Sequence, residues 1–440
     1  MLQLSGSLGC APDDRGGRAW AARIPCGRTL SLTLTLIAAL LPLVLNAAEG
    51  APRPAVTAEG AYTAEVISVA RGGLRGGAVY QALAEAAAVT DLAALLGAPA
   101  GTVLRVSAIF PHGGDFGGTR LGDLQGVSNI AAYHEPSLFE LSVATELAGG
   151  RLALCAGRLV ADGDFATTEG GGVFLNSSFG WPACISANTR NTGPTFERSG
   201  LGVQGAFALT EQVTLRAGVY DGDTLDDPDG DPARYPHGLH VELGHGQGAF
   251  ALTELDVAWS RGPEGAGRPG CFKVGAWGHT ADFADLADPG LSHAGNYGIY
   301  LVAEQMLWRE PGAGAGASGG EAIRGLTGFV RAGFSPGDRN LYSQTADAGL
   351  SYTGLLPGRP ADILGLGLAW VRLSEGYRRA ERAAGATVES EGEGVVELSY
   401  QVVLGDRWSF TPDLQWIRQP GGSRAVGDAL VIGLRTRLSF

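Results

Sequence analysis

The chain has 440 residues, of which 18% are charged and 45% hydrophobic, and its net charge is −13. Its 70 glycines follow no Gly-X-Y period, which excludes a collagen-like chain. Lys273 is the only lysine, and the arginines form no basic stripe that could follow a phosphate backbone. Nucleic acid is therefore excluded as a partner.

The first 48 residues have the layout of an export signal. Four arginines precede an apolar segment from Leu30 to Ala48, and small residues occupy the expected cleavage site. We predict that residues 1–48 are removed and that residues 49–440 form one domain, because no linker or charge block divides them. The alternative for the apolar segment is an uncleaved membrane anchor. No later segment has the ~18 apolar residues that a spanning helix needs.

The cysteines do not indicate a fold that depends on disulfides or on a bound metal. Cys155, Cys184 and Cys271 remain after the signal, and they are odd in number and irregularly spaced. That pattern fits neither a disulfide framework nor a zinc site, although a single Cys155–Cys184 bridge stays open. We predict no metal site and no cofactor.

After Gly101 the sequence reads as repeated strands. We count about fifteen segments of roughly ten residues, each alternating apolar with small or polar residues, and tilted strands of that length cross a bilayer. In one of them Val213, Leu215, Ala217 and Val219 form the apolar face. Strands of soluble sandwiches are usually nearer five or six residues. The length therefore favours a transmembrane antiparallel β-barrel.

The alanine-rich stretch from Ala78 to Val89 decides the strand count. Its propensity is helical, but counting it as a strand gives about sixteen, an even number and a size that leaves an aqueous channel. Asp91 to Leu96 is predicted as one short N-terminal helix, capped by Thr90 or Asp91. The predicted fold class is all-β, a barrel of about 16 strands with that single helix.

The last strand indicates where the protein resides. Leu430, Ile432, Leu434, Leu438 and Phe440 share one face. A terminal aromatic on such a strand is a familiar mark of outer-membrane barrels, whose C-terminal segment is read by the barrel assembly machinery. An edge strand of a soluble protein is the alternative, but it would leave a long apolar edge exposed. We predict the outer membrane of a Gram-negative bacterium, with its lipid and the assembly machinery as partners.

Six sets of stretches carry a recognisable pattern. They are Arg71–Leu74 with Leu95–Gly97, Gly122–Ile130, Gly157–Leu159 with Asp164–Phe165 and Phe174–Pro182, Gly218–Asp223, Asp347–Leu350 with Gly354–Leu355, and Pro412–Gln415. These stretches resemble the carbohydrate-selective porin (OprB) family, and the similarity runs from about Tyr62 to Phe440. The resemblance implies a sixteen-stranded outer-membrane channel for monosaccharides and similar small carbohydrates, working by facilitated diffusion. It names no individual lumen residue.

Strand parity nominates the residues that face the lumen. A sugar pore needs polar groups that replace hydration and flat faces for sugar rings, with binding weak enough for release. The candidates for lumen or sugar contact are Arg216, Tyr220, Glu242, Lys273, Trp277, Glu304, Arg331, Asp347, Glu397, Gln401, Arg435 and Arg437. Their alternative role is a generic solvated lining, or wall pairs that stiffen the barrel.

The segment from Asp162 to Pro194 is the candidate constriction loop. It is long, and it carries Asn176, Ser177 and Ser178 among aromatic residues. Its alternative is a plain surface loop.

The sequence thus predicts a sugar porin and no enzyme, because no serine elbow supports a barrel lipase. Two alternatives remain: a porin for general or non-sugar small solutes, and a barrel that serves the envelope structurally.

Overall fold

The computed structural model of the protein describes residues 55–227, 229–244, 246–260, 267–311, 323–386 and 391–440. Sixteen strands form a closed antiparallel barrel in which consecutive strands pair and the first pairs with the last. The strands are β1 Val56–Arg71, β2 Gly77–Asp91, β3 Val103–Gly113, β4 Ser137–Leu147, β5 Leu152–Leu159, β6 Gly200–Ala208, β7 Val213–Asp221, β8 Ala249–Trp259, β9 Gly270–Ala284, β10 Ser292–Arg309, β11 Gly325–Phe334, β12 Tyr342–Thr353, β13 Ile363–Leu373, β14 Gly392–Leu404, β15 Trp408–Arg418 and β16 Ala429–Ser439.

The predicted barrel is confirmed, with one change in how the strands are counted. The alanine-rich stretch is strand β2, as predicted. Strand β1, however, precedes every strand in our count, and fourteen strands rather than about fifteen follow Gly101. The predicted export signal, residues 1–48, lies outside the described residues.

The two faces of the wall follow the alternation in the sequence. On β13, Leu366, Leu368 and Trp370 point outward and are 46%, 53% and 44% exposed, because the lipid side has no protein cover. Inward residues such as Ala369 and Val371 are buried. Period-2 alternation puts the two sets on opposite faces of one strand.

Short helices accompany the strands. Helix α1 (Leu92–Leu96) lies at the predicted position, and the Asp91 side chain accepts a hydrogen bond from the Ala94 amide. The expectation of a single helix does not hold, since the described residues also contain α2 (Ala183–Ser186) and α3 (Glu375–Ala383). Shorter turns of 3₁₀ or π type cover Gly117–Leu121, Gly170–Val173, Ser177–Phe179, Arg190–Thr192, Pro236–Gly238 and Pro420–Gly422. No helix among the described residues is long and apolar enough to cross a membrane.

The two ends of the barrel differ in the length of their connections. The end at which β1 begins and β16 ends has short turns, such as residues 148–151 and 405–407. The opposite end has long connections, residues 114–136, 160–199 and 222–248. Outer-membrane barrels have short periplasmic turns and longer extracellular loops. We therefore call these ends periplasmic and extracellular.

The seam of the barrel uses the last residue of the chain. The Phe440 amide donates to the Gly60 carbonyl at 2.9 Å, and the Gly60 amide donates to the Phe440 carbonyl at 3.1 Å. A Cβ on Gly60 would lie 2.8 Å from the Phe440 ring, so glycine leaves room for it.

Among the described residues, Cys155, Cys184 and Cys271 form no disulfide. The Cys155–Cys184 bridge that the sequence left open is therefore not formed.

Candidate functional site

Two connections from the extracellular end fold into the lumen. The first internal segment is residues 114–136, between β3 and β4, and the second is residues 160–199, between β5 and β6. Both make hydrogen bonds to inward side chains on distant strands. The Leu124 amide, for example, donates to Glu393 on β14 at 2.9 Å. The lumen is therefore partly filled by the protein's own backbone.

Buried glutamates on the strands hold these segments in place. Both oxygens of Glu397 accept backbone amides of the second segment, from Leu175 at 2.5 Å and Asn176 at 3.1 Å. A carboxylate can satisfy amides that would otherwise be buried without a partner. Five glutamates that are at most 8% exposed act in this way or through a side-chain hydroxyl: Glu65, Glu254, Glu304, Glu393 and Glu397.

Glu304 binds the start of a short turn in the second segment. Its two oxygens accept the amides of Glu169 and Gly170, both at 2.8 Å. Nearby, Lys273 donates from Nζ to the carbonyl and the hydroxyl of Thr167, also at 2.8 Å. Both predicted residues face inward, and both contact the protein's own segment.

Arg331 and Asp347 form a pair beneath the same segment. The Arg331 Nε lies 2.9 Å from the Asp347 Oδ1, and both side chains are buried. The remaining guanidinium nitrogens donate to the carbonyls of Ala166, Gly180 and Ser178 at 2.6 to 3.0 Å. A planar guanidinium suits this geometry because its donors form a fixed fork.

The three predicted constriction residues lie inside the barrel. Asn176 donates to Gln415 on β15 at 3.2 Å. Ser177 and Ser178 donate to the first internal segment, at the Ser128 carbonyl and the Gln125 side chain, at 3.1 and 3.0 Å. These side chains join the two segments to each other and to the wall.

Tyr220 and Trp277 face inward but are covered. They are 2% and 3% exposed, and they pack in one apolar cluster with Phe250. The Tyr220 hydroxyl donates to Gln204 at 2.5 Å. Neither ring offers an open face on which a sugar could stack in this conformation.

The other predicted arginines remain open to the lumen, and each pairs with carboxylates. Arg216 lies 3.1 Å from Asp256, with its side chain 22% exposed. Arg437 lies 2.7 Å from Glu85, with exposures of 44% and 35%. Arg435 pairs with Glu65 at 2.8 Å and keeps 15% of its side chain exposed.

Two remaining candidates differ from each other. Gln401 is half-buried and lies on the inward face of β14, in register with Ile363. The prediction for Glu242 needs correction, because this residue lies in the connection of residues 222–248 and not on a strand. Its side chain is 55% exposed. Its placement on a strand was therefore wrong, and its contact with the lumen stays a prediction.

The chain matches the carbohydrate-selective porin, OprB family over residues 75–440. It belongs to that family. The porin is 26% identical to Porin B of Pseudomonas aeruginosa over 214 residues, which is 43% of this chain and 45% of that protein. It is 28% identical to the putative porin QuiX of Acinetobacter baylyi over 254 residues, 53% of this chain and 54% of that protein. The porin thus matches about half of the length of these curated relatives.

Solved structures show the same fold. The high-pH structure of Pseudomonas putida OprB has a TM-score of 0.75 at 20% identity, covering 88% of this chain and 94% of that one. The low-pH structure of the same protein has a TM-score of 0.52 at 16% identity, covering 88% and 93%. These structures share the barrel fold with the chain, and its membership of the family makes the porin an outer-membrane protein of a Gram-negative bacterium.

The lumen also contains a solvent-accessible arginine that strand parity was not used to predict. Arg105 on β3 lies 2.9 Å from Glu140 on β4 and 3.5 Å from Glu59 on β1. The side chain reaches Glu59 across β2, where the inward residue is the small Ala87. Alternation in β3, with Arg105 and Ser107 on one face, carried the signal that could have found it.

Carboxylates of the internal segments have raised pKa values. Burial raises the pKa of Asp123 to about 6 and that of Glu197 to about 7. Burial also raises the pKa of Asp162, although the Phe196 amide and the Thr195 hydroxyl donate to its carboxylate. Desolvation favours the neutral acid in each case. These carboxyl groups therefore ionise at higher pH than exposed ones.

Proposed function

We propose that this porin lets neutral monosaccharides and similar small carbohydrates diffuse across the outer membrane through its aqueous lumen. One observation carries the proposal: the open arginines of the lumen are each paired with a carboxylate. Such groups offer donors and acceptors to hydroxyl groups, and charges of both signs lie side by side, so the lining is not a simple anion or cation filter. The proposal involves no covalent chemistry and no cofactor.

The second internal segment would form the constriction. Its glutamate anchors fix its backbone against β8–β15, so the remaining path runs beside the opposite part of the wall. Asn176, Ser177 and Ser178 would then act by holding the constriction in shape, since their side chains contact protein groups. The proposed contacts for sugar are Arg105, Arg216, Arg435 and Arg437 on that part of the wall, together with Gln401 near the periplasmic end of β14.

The remaining predicted lumen residues would support the wall. Lys273, Glu304, Arg331, Asp347 and Glu397 bind or brace the second internal segment. Tyr220 and Trp277 would pack behind it. Buried charges with complete partners fix a structure but meet no solute.

We further propose that residues 1–48 are removed on export, leaving residues 49–440 as the barrel. Outer-membrane lipid would cover the apolar outer face. The terminal strand with Phe440 would be the segment that the barrel assembly machinery reads. Removal of Phe440 should lower the yield of folded barrel, because the seam then loses two hydrogen bonds.

Liposome swelling tests the transport proposal. Liposomes that contain the folded porin should swell faster in glucose than in gluconate or glucosamine, which are similar in size but charged. Equal rates for all three solutes would favour a general small-solute porin. Swelling no faster than that of empty liposomes would favour a structural barrel and contradict the proposal.

A further inference from the structure

Three arginines point outward at the extracellular end of the barrel. Arg372 on β13 and Arg418 on β15 are exposed, and both belong to the lipid-facing set of their strands. Arg71 on β1 is in register with the outward Leu430, so it points outward as well, and it is exposed. We call these three residues the arginine belt.

Tryptophans lie directly beside the belt. Backbone pairing puts Trp370 and Arg418 on either side of Gly394. It also puts Trp416 and Arg71 on either side of Leu430. Both tryptophans are 44% exposed on the lipid side. Tryptophans of such barrels sit at the level of the lipid headgroups, and the belt therefore lies at that depth.

The guanidinium groups of the belt are exposed on the outer face of the barrel. In the ranges that the structure describes, Arg71, Arg372 and Arg418 form no ion pair with a carboxylate. The residues between them are Gly394, which has no side chain, and the apolar Leu430. The three arginines occupy every second strand, and strands lie nearly 5 Å apart, so neighbours in the belt are on the order of 10 Å apart.

A guanidinium at headgroup depth requires an anion. Arginine binds phosphate through two parallel hydrogen bonds and is permanently charged. The outer leaflet of this membrane consists of lipopolysaccharide, whose sugar headgroup carries phosphates.

We propose that the arginine belt binds the phosphate groups of outer-leaflet lipopolysaccharide. Trp370 and Trp416 would pack against the lipid below the phosphates and set its depth. A second copy of the barrel is the less suitable occupant. A two-fold contact on this face would bring like charges together and bury them without partners.

Native mass spectrometry of the purified mature barrel tests the proposal. The probe is diphosphoryl lipid A, and the comparison lipid is the same molecule with both phosphates removed. The belt variant is R71Q/R372Q/R418Q. Its matched control is R151Q/R268Q/R407Q, which removes three exposed arginines from the periplasmic end. Heat-modifiable migration on a gel verifies that each variant forms a folded barrel.

The wild-type barrel and the periplasmic control should bind diphosphoryl lipid A equally and the dephosphorylated lipid weakly. About 1 kcal/mol per arginine near a charged lipid surface predicts a loss on the order of 100-fold in the belt variant. Unchanged binding by the folded belt variant would overturn the proposal. Equal binding of the dephosphorylated lipid, or a dimer that the belt variant abolishes, would overturn it too.

Discussion

The lumen wall has two parts that use the same side chains for different purposes. On β8–β15, which we call the covered wall, carboxylates and arginines such as Glu397 and Arg331 are buried beneath the second internal segment. On the periplasmic halves of β16 and β1–β7, the open wall, Arg105 and Arg437 pair with carboxylates and stay within reach of a solute. Burial, more than residue type, separates structural charges from those that a sugar could meet.

The largest effect is expected from opening the covered wall. Glu397→Ala leaves the Leu175 and Asn176 amides buried without an acceptor, at a cost of roughly 1–3 kcal/mol each. We expect a lower unfolding temperature and entry of trisaccharides that the wild type excludes. Glu242→Ala, on an exposed loop, is the control and should change neither. A stable Glu397→Ala barrel with the wild-type size limit would show that the covered wall does not set the pore.

Two native cysteines compare the walls directly. Cys155 is half-buried on β5 of the open wall, whereas Cys184 is buried on α2, where the second internal segment packs against the covered wall. A bulky water-soluble thiol reagent should modify Cys155, leave Cys184 unmodified and reduce glucose flux several-fold. Cys155→Ser should retain flux and resist the reagent. Modification of Cys184 before Cys155 would mean that the second internal segment does not protect the covered wall from solvent.

The charge balance of the open wall can be altered in one step and restored in a second. Arg437→Gln leaves Glu85 without its partner, so the lumen gains negative charge. We expect the reversal potential to shift moderately towards cation preference. Glucose flux should change by less than about threefold, because a partly exposed ion pair contributes little free energy. Arg437→Gln with Glu85→Gln should return the potential to the wild-type value. A shift that persists in the double variant would exclude the pairing as its cause.

The smallest effect concerns pH at the base of the second segment. The pKa of Glu197 is raised to about 7, and its carboxylate accepts the Tyr133 amide of the first segment. A raised carboxyl pKa stabilises the folded state at low pH, and this contribution is lost between the ordinary carboxyl pKa and about 7. Hydrogen exchange at Tyr133 should therefore speed up across that window beyond its intrinsic pH dependence. Glu197→Gln should remove the excess, and its persistence would locate the titrating group elsewhere.

Alternation predicted much of this structure from the sequence. It identified the barrel and assigned the inward face of Arg331, Glu397 and Arg435, because a closed sheet fixes which face each residue takes. It failed for Glu242, which lies on a loop, and it missed β1 next to the presumed signal. The family resemblance, and not the alternation, predicted that the solute is a sugar.

The division of the wall could not be predicted in this way. Whether Glu397 meets sugar or backbone depends on contacts with Leu175 and Asn176, more than 200 residues earlier in the chain. Alternation along one strand contains no information on what covers the strand. Tyr220 and Trp277 show the same limit, since both face inward and yet lie beneath other side chains.

The seam between Gly60 and Phe440 also orders the events of biogenesis. Every other strand pair joins neighbours in sequence, which can form while later strands are still in transit. The seam joins residues near the two ends of the described chain, and its last two hydrogen bonds need the final residue. Joining strands that are so far apart in sequence costs more chain entropy than joining neighbours, and it is therefore slow. Closure of the barrel therefore waits for β16, and until that strand pairs, the sheet is open with β1 unpaired on one side.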